Sequence, residues 1–219
     1  MEIIDRILSQ LQYNPKSPMI FSSGLFLMLF LGFTLFYMLL RKKLTARLLF
    51  VTLFSYYFYY KSSGLYFLLL ALVTVSDFYI ARAISRLAGE RGRQKMLIAL
   101  SMLVDLGLLA YFKYTNFLGE IWSQVSGEAF HNMNIFLPVG ISFFTFQAMS
   151  YVIDVYRGEQ VQKNPLNVGL YIAFFPQLIA GPIVRYETVA YQIQCRKETF
   201  DDFSSGVCRF IIGLSKKVL

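Results

Sequence analysis

FSSGLFLMLFLGFTLFYMLL, residues 21–40, runs twenty positions without a charge. Wound as an α-helix it is about 30 Å long, which is the thickness of a bilayer's hydrocarbon layer. RKKLTAR at 41–47 closes it with four positive charges. The same pattern repeats outward. Leu48–Tyr60 is a shorter aromatic run of about 20 Å, so it is a short span, a helix that starts inside the basic segment, or a re-entrant piece. Lys61 and two serines separate it from Gly64–Ile80, whose charge, Asp77, lies near one end. Met96–Tyr114 is long enough to span and is interrupted only by Asp105 and Lys113. After a polar stretch, Thr115–Ile135, Phe136–Tyr156 returns to the membrane. Leu166–Ile183 is apolar but split by Pro176, Gly181 and Pro182. Proline removes a backbone donor that lipid cannot replace, so this segment is read as a broken or re-entrant element, shielded by protein or lining a wet cavity. Residues 184–205 are polar, and Val207–Leu219 opens another apolar helix.

Composition agrees with a bilayer as solvent. Of 219 residues, 56% are hydrophobic and 16% charged, more apolar surface than one water-soluble core of this size can hide. The net charge of +8 would raise nucleic acid as a partner. Here the basic residues sit in short segments beside apolar runs, so they read as topology signals, and no nucleic-acid partner is expected. The fold class is therefore all-α: a multi-span helical bundle with short and broken helices. Residues 1–18 form a separate unit. MEIIDRILSQLQ places Ile3, Ile4, Ile7, Leu8 and Leu11 on one helical face, as an interfacial helix does, and Asn14 to Pro18 breaks it. Residues 19–219 form the membrane domain. The last residues, RFIIGLSKKVL, carry no helix stop, so the sequence is expected to be the N-terminal part of a longer protein.

Lys and Arg alternate between loops. Four follow the first span, one the second and five lie at 82–95. The stretch after the fourth span carries Glu120 and Glu128 with no Lys or Arg beyond Lys113, and Arg157 and Lys163 follow the fifth. Positive loops face the cytoplasm, which puts the N-terminus outside.

The chemistry visible in the residues is sparse. No Walker loop, GxSxG elbow, HExxH or CxxC pair is present, and no metal site is expected. Cys195 and Cys208 read as small apolar fillers. The single histidine, His131, sits in a polar loop and reads as solvated. Ionisable residues inside a span are costly and default to functional candidates, which singles out Asp105, although pairing or hydrogen bonding within the bundle is the preferred reading of it. Asp154 and Arg157, three apart on one turn, are spaced to pair with each other.

Two blocks carry a family resemblance. LPVGISFFTFQAMSYVIDVYRGE (137–159) and FFPQLIAGPIVRY (174–186) resemble the membrane-bound O-acyltransferase superfamily. The bacterial branch that includes alginate O-acetyltransferase and the D-alanyl transfer protein of teichoic acid modification looks nearest. MIFSSGLFLMLFL (19–31), SYYFYY (55–60), LLAYFKYTNF (108–117) and GLSKKVL (213–219) resemble it in the same order. The sequence departs from the pattern at Asp105, where the resemblance leads one to expect Asn. It also lacks the Arg/Trp/His-rich block with the catalytic histidine, expected roughly a hundred residues beyond Leu219. His131 matches no family position.

The resemblance implies acyl transfer to a hydroxyl, with O-acetylation of an exopolysaccharide or cell-envelope polymer as the reaction. It implies an acyl donor such as acetyl-CoA from the cytoplasm, no resident cofactor, a location in the bacterial inner membrane, and possible cooperation with a periplasmic acetyltransferase. Candidates for the donor or substrate path are Gln147, Asp154, Arg157, Pro176, Gln177, Gly181, Pro182 and Arg185. A transporter or channel, or a non-catalytic scaffold, is the competing reading. Broken helices and Asp105 suit a transporter, but no inverted repeat relates the halves.

The charge alternation predicts that a cysteine placed at Ser126 reacts with an impermeant reagent added to intact cells, whereas one at Arg91 does not. Labelling at Arg91 alone would invert the topology.

Overall fold

The computed structural model describes residues 11–14, 19–127, 132–178, 181–195 and 198–218. Most of the helix expected over residues 1–12, as well as His131 and Leu219, lies outside them. Among the described residues the protein is helical and contains no strand. We number its helices α1 Gly24–Leu39, α2 Leu44–Ser63, α3 Phe67–Arg86, α4 Arg91–Ser126, α5 Ile141–Arg157, α6 Pro165–Ala173, α7 Phe175–Leu178, α8 Tyr186–Gln194 and α9 Phe200–Val218.

Ser23 starts α1 by accepting the Phe26 amide on its hydroxyl at 3.2 Å, an ordinary N-cap. Met28, Leu31, Leu35 and Leu39 then form an exposed apolar stripe, which suits lipid and not water. Phe33 packs back onto Phe50 and Phe54 of α2, with ring centroids 5.2 and 4.6 Å apart, so α1 and α2 are an antiparallel pair. α2 begins inside the basic segment, one of the options open to the aromatic run from Leu48. The α2–α3 turn depends on Gly64. Its φ is +61°, and an added Cβ would lie 2.8 Å from the Tyr13 ring, so both backbone angle and space exclude a side chain. Across that hairpin Tyr56 and Thr74 bring their hydroxyls to 3.5 Å. α3 and α4 pair in turn, and α5 seats against both. Tyr59, Leu70, Phe144, Tyr151 and Val152 form the core between them.

Three helical stretches are long and apolar enough to cross a membrane: Gly24–Lys42, Leu44–Arg86 (the α2–α3 hairpin) and Arg91–Ser126. The chain is a multi-pass membrane protein. Because successive helices reverse direction, the basic segments 41–47 and 87–95 and the loop after Arg157 gather at one end of the bundle. The other end is tied by polar contacts. Lys61 donates to the Gln12 carbonyl, Tyr57 to the Leu11 carbonyl and Ser62 to the Met19 carbonyl. Ser63 accepts the Val139 amide at 3.0 Å, and Asn116 bonds both the amide and the carbonyl of Met133.

Three expectations change. Lys61, Ser62 and Ser63 are not a linker: they form the buried last turn of α2, held there by the backbone carbonyls and amide they bind. The polar stretch from Thr115 is helical as far as Ser126, because no proline interrupts it and Gly127 is the residue that turns left-handed to cap it; α4, at 36 residues, is about 54 Å long and overshoots a bilayer core. The polar region 184–205 contains α8 and the start of α9. α9 begins at Phe200 because Thr199 and Asp202 cap it reciprocally, each side chain taking the other's amide at 3.1 Å.

Asp77 and Asp105 face each other between α3 and α4, each 1% exposed. Ser101 donates to Asp77 Oδ1 at 2.8 Å. Asp77 Oδ2 and both Asp105 oxygens have no donor among the described residues. Two adjacent buried carboxylates repel, whereas the amide expected from the resemblance would donate to Asp77. Asp105→Asn is therefore expected to stabilise the protein by about 1 kcal/mol and raise its unfolding temperature in detergent; a lower temperature would show that Asp105 has a partner of its own.

Candidate functional site

In an unbroken helix the Phe175 amide would bond to the Tyr171 carbonyl. Here the helix stops at Ala173, Phe174 turns away with ψ 109°, and both groups find side chains instead. Phe175 donates to Ser55 Oγ of α2 at 3.2 Å. Tyr171 O accepts Gln147 Nε2 of α5 at 2.7 Å. Ser55 and Gln147 are 0% and 1% exposed. The break is thus satisfied by protein from two sides, as a lipid environment demands. It falls two residues before Pro176, since the proline ring would clash with the carbonyl four residues earlier, and Pro176 itself is the second residue of the next short helix.

A tight turn follows. Gly181 donates to the Gln177 carbonyl at 3.0 Å, and Gln177 Nε2 reaches Pro182 O at 2.7 Å. An added Cβ on Gly181 would lie 2.5 Å from Gln177 Cα, so the close approach requires glycine. Tyr171 then fixes the outgoing strand of chain through its hydroxyl on Val184 O at 2.7 Å. The Tyr186 ring lies edge-on to Tyr151 and Tyr171, with centroids 5.0 and 5.1 Å apart.

Beside the break is a cavity of about 500 Å³ walled by Phe33, Val51, Leu170 and Phe174, with Pro176 and Gln177 on its edge. Its polar corner is Arg47. This residue, 6% exposed, donates to Glu198 Oε2 at 3.1 Å, while Tyr37 bonds the other Glu198 oxygen. The guanidinium also lies 5.1 Å from the Tyr37 ring centroid. A second groove, of about 350 Å³, runs between α1 and α9 and is flanked by Arg209 and Lys217. Phe30, Phe175 and Pro176 line both spaces, so the broken helix is the partition between them.

The sequence candidates separate accordingly. Pro176 and Gln177 border the cavity. Gly181 and Pro182 shape the turn behind it, and Gln147 holds the break. Arg185 and Arg157 are exposed. The Asp154–Arg157 ion pair does not form. Asp154 belongs to the buried face of α5, at 5% exposure, with Oδ2 lacking a donor. Arg157 points outward in the last turn, where a cation suits the helix C-terminus. Among the described residues no group of three His, Cys, Asp or Glu side chains gathers to hold a metal, and Cys195 and Cys208 are unbonded and exposed.

Arg47 was read from sequence as a topology charge only. Once α2 starts at Leu44, Arg47, Val51, Ser55 and Phe58 fall at helical spacing on one buried stripe, which was the available signal. Glu198 had none, because what it meets is more than a hundred residues away in sequence.

The chain is similar to three groups of enzymes. It is 41% identical over 208 residues, 91% of its length, to the probable alginate O-acetylase of Pseudomonas aeruginosa, of which it covers 39%. It is 29% identical over 199 residues to the peptidoglycan O-acetyltransferase of Helicobacter pylori, covering 78% of this chain and 38% of that protein. To the teichoic acid D-alanyltransferase of Bacillus subtilis it is 30% identical over 109 residues, covering 47% of this chain and 28% of that one. The chain spans about two fifths of the length of the alginate O-acetylases it matches. No protein-family model and no solved structure matches.

Removing either clamp should unmask a buried backbone group. Gln147→Leu and Ser55→Ala are each expected to cost about 1–3 kcal/mol, seen as a lower unfolding temperature and reduced membrane abundance. Unchanged stability in both would mean that the break is satisfied in some other way.

Proposed function

The chain belongs to the membrane-bound O-acyltransferase family, and from that premise we propose that the full-length protein transfers an acetyl group from a cytoplasmic thioester, such as acetyl-CoA, to hydroxyls of a cell-envelope or extracellular polysaccharide. The observation that carries this reading is the broken helix standing between two spaces, one lined by the later half of α1 and the start of α2 and the other by the earlier half of α1 and the end of α9. A reaction whose donor and acceptor lie on opposite sides of a membrane needs such a place: a thin partition with irregular backbone, where an acyl carbon and a hydroxyl can meet without an open channel. The cavity at the Arg47 end is the donor side. Its apolar walls accept the thin arm of a thioester, Gln177 and Gln192 offer amides to it, and the basic segments at that end attract its phosphates. The same charges support a cytoplasmic position for that end, in an inner-membrane protein. Of the path candidates, Pro176 and Gln177 border the donor, while Gln147, Gly181 and Pro182 keep the partition in shape. Arg157 and Arg185 are exposed and available to the donor's phosphates. Asp154 has no part in this path. No residue of this chain is assigned as the general base. A periplasmic acetyltransferase that finishes the transfer is compatible with this layout.

The test is acetylation by full-length protein in membranes supplied with radiolabelled acetyl-CoA and an oligosaccharide acceptor. Val51→Trp, which fills the cavity, is expected to raise the donor KM at least about tenfold at normal abundance, a loss of the size that a misplaced reactant gives. His131→Ala is expected to stay within about threefold of the parent, far from the loss caused by removing a general base. Labelled ester that forms equally well with Val51→Trp would remove the donor from this cavity.

A further inference from the structure

Arg47 is a buried cation in the wall of an apolar cavity, and such a charge is costly unless an anion lies against it. Its anion here is Glu198, with Oε2 3.1 Å from the guanidinium. The two partners are held unequally. The Arg47 side chain is 7% exposed and that of Glu198 29%. Arg47 sits in the first turn of α2, fixed against the Tyr37 ring, and both of these residues line the cavity. Glu198 stands on the segment between α8 and α9 and is not among the lining residues. A carboxylate with access to water can turn outward and be hydrated, whereas the enclosed guanidinium cannot follow it. The cavity thus ends in a planar fork of N–H donors whose present partner is exchangeable.

Distance along α2 decides what kind of ligand can use that fork. Arg47, Val51 and Ser55 fall on one buried stripe, and the eight residues from Arg47 to Ser55 span about 12 Å of helix. Ser55 holds the Phe175 amide at the break, where Pro176 and Gln177 border the same cavity. A ligand with its anion at Arg47 and its reactive carbon at the break therefore carries the two about 12 Å apart. The walls between them, Val51, Leu170 and Phe174, are apolar, so the connecting arm is thin and uncharged. A small acyl phosphate, whose phosphate adjoins its carbonyl, cannot meet both ends. A thioester on a phosphate-bearing arm can, and its phosphate suits the fork through two parallel hydrogen bonds.

We propose that Arg47 recognises the phosphate at the foot of the donor's arm, and that Glu198 occupies this place in the empty cavity and is displaced when the donor binds. This rests on the acyl-transfer reading for the identity of the donor.

The experiment uses full-length protein in nanodiscs of neutral phosphatidylcholine. Equilibrium binding is measured for acetyl-CoA and for S-acetylpantetheine, which has the same arm and thioester but no phosphate. Arg47→Gln is expected to weaken acetyl-CoA at least about tenfold, the size of a lost charge-assisted bond, and to leave S-acetylpantetheine unchanged. Arg47→Lys, which keeps the charge without the fork, should retain part of the affinity. Glu198→Gln removes the competitor, so acetyl-CoA should bind at least about threefold more tightly, again with no change for S-acetylpantetheine. If Arg47→Gln does not accumulate, the double variant Arg47→Gln/Glu198→Gln, in which neither charge is left alone, carries the same comparison. Equal losses for both ligands on removing Arg47 would make it a wall of the cavity only and overturn the proposal. Weaker acetyl-CoA binding in Glu198→Gln would make Glu198 a fixed support and overturn its displacement. Competition by acetyl phosphate at an affinity like that of acetyl-CoA would overturn the argument from the arm. Val51→Trp separates these failures from failure of the underlying reading. If it leaves acetyl-CoA binding unchanged, the donor is not in this cavity and both readings fall. If it blocks binding and Arg47→Gln does not weaken it, only the role of Arg47 falls.

Discussion

One hydrogen bond that is not made organises this molecule. The Phe175 amide and the Tyr171 carbonyl would pair in a continuous helix, and each would be costly to leave bare in a membrane. Ser55 and Gln147 take them separately. That exchange requires α2, α5 and the broken helix to meet at one level, and much of the rest follows from the meeting. Phe175 is driven into the aromatic cluster of Phe26, Phe54 and Phe58, which locks α1 and α2 against the break. Tyr171 is left free to fasten the returning chain at Val184. The two spaces on either side of Pro176 exist because the helix does not continue through them.

The polar groups of the bundle divide by location in a way that fits this constraint. At one end, Lys61, Ser62, Ser63 and Asn116 bind backbone carbonyls and amides of the irregular segments, so the chain's entry and the Met133–Val139 stretch are held without secondary structure of their own. At the opposite end, Arg47 and Glu198 join the start of α2 to the approach of α9. The Arg47 pair is largely buried on the arginine side, and its removal would leave a charge without a partner beside an apolar cavity. Between the two ends, the Tyr56–Thr74 contact, the Asp77–Ser101 bond with Asp105 beside it and the helix break are among the polar features of the bundle. Asp77 holds α3 to α4 by accepting the Ser101 hydroxyl, with the Asp105 carboxyl placed beside it.

Much of the fold was legible in the sequence because bilayer thickness imposes a length on every apolar run. The uncharged stretch from Phe21 to Leu40 marks α1, and Pro176 with Gly181 and Pro182 marks the broken element. Errors arose where the rule is weak. Lys61 reads as a loop charge because a single lysine looks the same whether it is solvated or bound to a carbonyl. α8 was missed because a short helix among polar residues has no apolar period strong enough to stand out. Asp154 and Arg157 have the right spacing for a pair, yet spacing does not say which way a side chain turns once one helix face is buried.

What the sequence by itself determined is the solvent, the number and order of the early helices, the presence of a break and the family, since these follow from composition, run length and linear blocks of residues. What only the tertiary structure decided is which side chains answer one another across those helices. Ser55 is one of many serines until Phe175 arrives 120 positions later, and Arg47 is one of four basic residues until Glu198 reaches it 151 positions later. Partnerships of that separation depend on how helices cross, and helix crossing is set by packing of whole faces, not by any local run of residues.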